Sequence, residues 1–234
     1  MADYKFKNQI DMKIIYCINL FLIILCSCNI KKTNNMTEKY DFETVKSSTT
    51  YPCVVDKGNR IILMYSMTES GAHYVEYSTS ISFYKIVKNF HPNGMLKSKG
   101  TIVGSDFSVG YWQYFDEKGN LIKEEDEDKK FGKIKIDWIL KFLEKEGWIN
   151  LTTGEGREYP IIDDKYVEIQ SCRFYLSFIQ KGKDIPVTKN DPPHLWVVSI
   201  PTAKWNNYTQ TIYHIDGDTG EVLNKKYYHS PIKI

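Results

Sequence analysis

The sequence predicts an α+β chain, in which an antiparallel β hairpin or meander repeat precedes a helix packed on an antiparallel sheet. Three observations predict it. Residues 73–84 alternate apolar and polar side chains with a period of two. A segment recurs at an offset of 25 residues, reading aromatic strand, glycine turn, aliphatic strand. One helical stripe, Trp138 to Leu143, is followed by several runs rich in β-branched and aromatic residues.

The chain has 234 residues, room for one or two domains, and its 42% apolar content is enough for a core. Tyrosine is plentiful at 17 residues, which suits half-buried strands and amphipathic surfaces. The net charge of +2 comes from 31 basic and 29 acidic residues. A general nucleic-acid binder shows a basic stripe, so nucleic acid is excluded as the expected partner.

In chain order, residues 1–28 read as a targeting signal, with residues 1–11 a start-site extension before Met12-Lys13. The apolar run Ile14–Leu25 would rise roughly 18 Å as a helix, short of a hydrocarbon core of about 30 Å. It fits a secretory h-region instead. The stretch Leu25-Cys26-Ser27-Cys28 resembles the bacterial lipoprotein signal. That resemblance implies cleavage before Cys28 and lipidation of its thiol. The membrane partner is then reached through an N-terminal lipid, and the body is anchored in the cell envelope facing the periplasm.

Residues 29–50 are polar and rich in Lys, Thr, Asn and Ser, as expected of a flexible tether. A β-rich region, 51–128, follows, with strand-like runs at Ile61–Met67 and His73–Tyr84. In the second run Val75, Tyr77, Thr79, Ile81 and Phe83 share one face; Glu76, Ser78, Ser80 and Ser82 share a solvated one. The repeat then aligns Phe90 with Phe115, Gly94 with Gly119 and Leu96 with Leu121. Asn93-Gly94 is a strong hairpin signal, because glycine accepts positive φ at little cost.

Gly110-Tyr111-Trp112-Gln113-Tyr114 and the following "FDEKGNLIK" resemble the MORN-repeat-variant family over Tyr84 to Glu125. Many members of that family carry an antitoxin label. Only the second unit has the Gly-x-Trp signature, which favours a short hairpin sheet over a long array. The resemblance implies a protein-binding role of the immunity type.

Lys123–Lys130, "KEEDEDKK", has no apolar residue and is expected to be a solvated linker. Region 131–234 opens with the helix stripe, with Asp137 as expected N-cap and Gly147 as C-terminal stop. Strands are expected at Tyr166–Ile179, Leu195–Ile200 and Tyr208–Ile215, then a tight turn Asp216–Gly220 into Glu221-Val222-Leu223. This helix with strands closing on "YHIDGDTGEVL" is similar to PepSY-type domains. That resemblance implies the alternative function, an inhibitor or regulator of an envelope protease.

No catalytic residue is assigned. Asp216-x-Asp218 lacks the Gly and Glu spacing of a calcium loop and reads as turn chemistry. The histidines His73, His91, His194, His214 and His229 lack metal-ligand spacing, and no nucleotide-binding or nucleophile motif occurs, so neither metal nor cofactor is expected. His194 or His214 beside a carboxylate in a closed cleft would mark an enzyme instead. Cys53 and Cys172 are open to two readings, a disulfide in an oxidising compartment or buried free thiols. The partner-binding candidates are the aromatics Tyr111, Trp112, Tyr114, Trp196 and Trp205. The expected function is therefore a non-enzymatic envelope lipoprotein that binds another protein, a toxin or a protease.

Overall fold

A computed structural model of the chain describes residues 38–163, 166–181, 192–204 and 207–231. Strands account for 52% of the structure and helical turns for 12%, so the fold is all-β and the α+β expectation is corrected. The helical stripe yields one helix of ten residues, while segments expected as linker or loop pair as strands.

Seven strands form one sheet: β1 (Cys53–Asp56), β2 (Arg60–Met64), β3 (Ala72–Ser78), β4 (Tyr84–Phe90), β5 (Leu96–Val103), β6 (Phe107–Phe115) and β7 (Leu121–Asp126). Their spatial order is their chain order and every pairing is antiparallel, so the sheet is a meander. The expected two-unit hairpin sheet is thus extended by three strands on its N-terminal side. β8 (Tyr159–Ile162) and β9 (Val167–Gln170) form a hairpin. A four-stranded antiparallel sheet holds β10 (Tyr175–Gln180), β11 (His194–Lys204), β12 (Asn207–Asp216) and β13 (Val222–Pro231).

The 25-residue repeat corresponds to two hairpins of one build. Phe90 pairs with Leu96 and Phe115 with Leu121, each beside a register shift that bends the strand. Gly94 and Gly119 have φ of 81° and 84°, and their amides donate to His91 O and Asp116 O at 2.8 and 2.9 Å. Adjacent turns are tied together, because Asn93 Nδ2 donates to Glu117 O at 2.9 Å.

Three local expectations are corrected. The alternating run 73–84 is not one strand: β3 ends at Ser78, and Thr79 turns away, donating to Asn59 O at 3.1 Å. The Glu76 face is not solvated either, since Glu76 is buried between Arg60 (2.8 Å) and Lys88 (2.6 Å). The acidic run expected as linker supplies β7 and then a 3₁₀ turn, Glu127–Lys130. An edge strand open to water on most of its surface needs no apolar alternation.

Helix α1 (Phe42–Ser47) is capped by Asp41, whose Oδ1 accepts from Thr44 N at 3.0 Å. It belongs to the stretch expected as tether, and residues 38–50 are instead docked on the meander. Tyr40 is buried and its amide donates to Gly94 O at 2.8 Å, while Glu38 pairs with Lys88 at 2.6 Å. Tyr40 joins Cys53, Ile62, Met64, Ala72, Tyr74, Phe90 and Leu96 in a small core.

Helix α2 (Ile136–Lys145) buries Ile136, Ile139, Leu140 and Leu143. Its N-cap is Lys135 with no side-chain bond, and Asp137 lies inside the first turn, where its carboxylate accepts from the Tyr84 hydroxyl. The helix stops at Gly147 (φ 77°), with Gly147 N to Glu144 O and Trp148 N to Leu143 O both 2.9 Å. These two bonds satisfy the last carbonyls. The buried stripe packs with Trp196, Val198, Ile200, Tyr213 and Ile215 and with Phe83, Val103 and Val109 of the meander. Regions 51–128 and 131–234 therefore share one core and one compact unit.

Candidate functional site

Strand β6 places the sequence-named aromatics. Register pairs Trp112 with Glu125 and Tyr114 with Lys123, so both rings share one face of the sheet, while Tyr111, opposite Asp126, points to the other. The Trp112 indole lies on Gly100. A Cβ added at Gly100 would come within 2.2 Å of the ring, so only glycine leaves the seat. The indole Nε1 donates to Thr101 O at 3.3 Å. Beside it the Lys123 ammonium stands 5.2 Å from the Tyr114 ring centroid and 2.6 Å from Glu125. Its hydrogen bond to Glu125 raises the Lys123 pKa above the ordinary range.

β7 is the last strand of the sheet and borders these rings. Ile122 is 66% exposed, Leu121 is exposed beside it, and Tyr111 on the opposite face of β6 is 64% exposed. Across the sheet, register links His73, Asn89, Ser98, Tyr114 and Lys123 into one row. Tyr114 and Lys123 therefore end a row that crosses five strands.

The other named residues are placed differently. Trp196 is fully buried among Phe107, Phe131 and Phe178, and its Nε1 donates to Ile134 O at 3.1 Å. It is a core residue, because the alternation of β11 sends Trp196, Val198 and Ile200 inward. Trp205 and Cys28 lie outside the described residues.

Cys53 and Cys172 are free buried thiols in separate cores, so they form no bridge. Burial pushes the Cys172 thiol up to about 11, and its Sγ donates to Gly156 O at 3.4 Å. Cys172 sits between β9 and β10, which divide the run expected as one strand.

Two ionic groups went unread in the sequence. Glu158 pairs with Lys85 and accepts from Tyr77 Oη at 2.7 Å. On the other face, Arg60, Glu76, Lys88, Glu38 and Lys99 form a chain of ion pairs. Burial alone would raise the Glu38 carboxyl, but Lys88 and Lys99 outweigh it and hold it below the usual range. For the second group the sequence signal was a charge in the middle of a strand, Glu76 in β3 and Lys88 in β4.

His194 does meet a carboxylate, its Nδ1 lying 2.9 Å from Asp218 Oδ2. The pair is half-exposed and built into the Asp216–Gly220 turn rather than a closed cleft. Asp218 also accepts from Lys133 N at 3.2 Å, and Asp216 Oδ1 accepts from the amides of Asp218 (2.8 Å) and Thr219 (2.9 Å). Both carboxylates are thus engaged in turn chemistry. Among the described residues no group of three His, Cys, Asp or Glu side chains is arranged to hold a metal ion. What β6 and β7 offer is contact: two seated aromatic rings, a paired charge, and a strand edge with exposed aliphatics.

Comparisons with protein-family models, with curated proteins and with solved structures gave no match.

Proposed function

We propose that this chain is a non-enzymatic lipoprotein of the cell envelope, anchored through Cys28, that binds another protein along the β6–β7 end of its meander. One observation carries the reading. Trp112 and Tyr114 share a face directly beside an edge strand whose Leu121 and Ile122 are exposed. Rigid aromatics supply much contact area at low conformational cost, and an edge strand can accept an extended segment of a partner. The MORN-variant resemblance narrows the partner to a toxin that the protein neutralises.

Pull-down from envelope extract tests the surface. The native chain should retain a partner that is lost with Leu121→Ser/Ile122→Ser, substitutions of exposed side chains that leave the core intact. Unchanged capture would overturn the assignment. The anchor has its own test: Cys28→Ser should release the protein from membranes, and Cys26→Ser should leave it attached.

A second reading, regulation of an envelope protease by a PepSY-like region, is favoured by α2 packed against β11 and β12 and by the Asp216–Gly220 turn. Because the two halves share a core, substitutions rather than truncation must separate the readings. Exposed Tyr227 and Tyr228 of β13 are the positions to change.

A further inference from the structure

A cleft of about 360 Å³ opens at the far end of the His73–Lys123 row, lined by β3, β4, β5 and the segment joining β2 to β3. One wall is aromatic. Tyr65 stacks on His73 with ring centroids 4.1 Å apart, and Tyr51 meets Tyr65 edge-on at 6.1 Å. Tyr51 is 69% exposed, so its ring face is available. The opposite side is polar. Asn89 Nδ2 donates to Ser98 Oγ at 2.9 Å, and the hydroxyls of Ser66 and Ser70 line the rim.

The rim is rigid. Thr68 and Gly71 exchange backbone hydrogen bonds of 2.9 and 3.1 Å, and Thr68 Oγ1 donates to Gly71 O at 2.7 Å. Gly71 has φ of 111°, and a Cβ there would lie 2.0 Å from Phe90 O, so the turn admits only glycine.

The lining chemistry selects a ligand class. Hydroxyls, a carboxamide and a neutral imidazole each donate and accept hydrogen bonds. Burial holds the His73 pKa below its ordinary value, which keeps that ring neutral at physiological pH. Among the described residues no carboxylate lines the cleft, which disfavours a cation, and Lys97 is the single charged side chain on it. A phosphate would call for several donors and more positive charge. An apolar ligand would leave the hydroxyls and amide unpaired. A pyranose ring meets both walls at once: its C–H face stacks on the aromatic rings while its hydroxyls exchange hydrogen bonds with the polar side. The volume lies in the range of small-molecule sites.

We infer that this cleft binds a pyranose sugar of a glycan, a site separate from the β6–β7 surface and independent of the protein partner. Saturation-transfer NMR on the full chain tests it, with cellobiose, chitobiose and maltose as probes and inorganic phosphate as the charged alternative. The expected result is transfer to the ring C–H protons of at least one disaccharide. Tyr51→Ala and His73→Ala should each weaken its Kd at least tenfold, and Tyr111→Ala, outside the cleft, should leave it unchanged. Tyr51 is so exposed that its removal cannot unfold the sheet, which keeps the comparison valid if His73→Ala is unstable. Absence of transfer from all three sugars, a Kd in Tyr51→Ala equal to that of the native chain, or displacement of sugar by phosphate would overturn the inference.

Discussion

Lys85 on β4 and Glu158, 73 residues further along the chain, form an ion pair that is 7% and 14% exposed. Tyr77 on β3 donates its hydroxyl to the same carboxylate, so three groups converge where the meander meets the segment leading into β8. Burial and the neighbouring Glu158 charge both raise the Tyr77 phenol above its ordinary pKa, so it stays a donor. Desolvating a lysine and a glutamate is costly, and their mutual attraction offsets it only while both are present.

Glu158→Ala should therefore destabilise the protein by about 3–5 kcal/mol, because it leaves Lys85 charged and unpaired. Lys85→Met combined with Glu158→Leu should recover most of that loss, since no buried charge remains. Urea midpoints of the single and double variants check this. A single variant as stable as the native chain would show that the pair does not join the two halves.

Gly100 exists to seat Trp112. Gly100→Ala places a methyl group against the indole, which must lift off the sheet. Overpacking of this kind costs about 1–3 kcal/mol. The variant should also show a red shift in tryptophan emission relative to the native chain, while Trp112→Phe should remove that difference. Emission identical in Gly100→Ala and native protein would contradict the seat.

The Glu38 contact gives the docking of residues 38–50 a pH dependence with a definite sign. Its carboxyl pKa is lowered in the folded state, so its contribution is present above about pH 4.5 and is lost as the pH falls through the lowered folded value. The side chain is more than a third exposed, so solvent screening limits the effect to about 0.5 kcal/mol. Stability of native protein minus that of Glu38→Gln, measured by urea titration, should be positive at pH 6 and shrink as the pH falls below about 4.5 and through the lowered folded value. A difference that grows with acid would reverse the assignment.

The thiols offer a chemical test of the two cores. With its pKa pushed up to about 11 and its sulfur buried, Cys172 should resist iodoacetamide at pH 8 in the native state. Cys53, buried beneath α1 with its Sγ donating to Thr44 O at 3.7 Å, should behave alike. Both should react promptly in urea without a reductant, as read by peptide mass mapping. A need for reductant would mean a bridge.

What could be read from the residues was local. Asn93-Gly94 and Lys118-Gly119 announced their turns because positive φ is a property of one residue and its neighbours. The α2 stripe and its Gly147 stop followed from period and cap chemistry for the same reason. What could not be read was non-local. Period two alone marks two faces without saying which is covered, so Glu76 passed for a solvated residue until Arg60 and Lys88 closed over it. The same blindness placed Trp196 on a surface and joined β3 to β4 through residues 79–83. The acidic run misled because an edge strand is stabilised by its ladder on one side and need bury little.

The proposed docking of a partner protein on the β6–β7 end of the meander can be probed in place. A photoreactive phenylalanine analogue at Ile122, in the full chain expressed in living cells, addresses it most directly. The expected result is a discrete covalent adduct at position 122 and none at exposed Glu43 on α1, with the adduct lost when Trp112 is changed to alanine. No adduct at 122, or the same adduct from both positions, would contradict it.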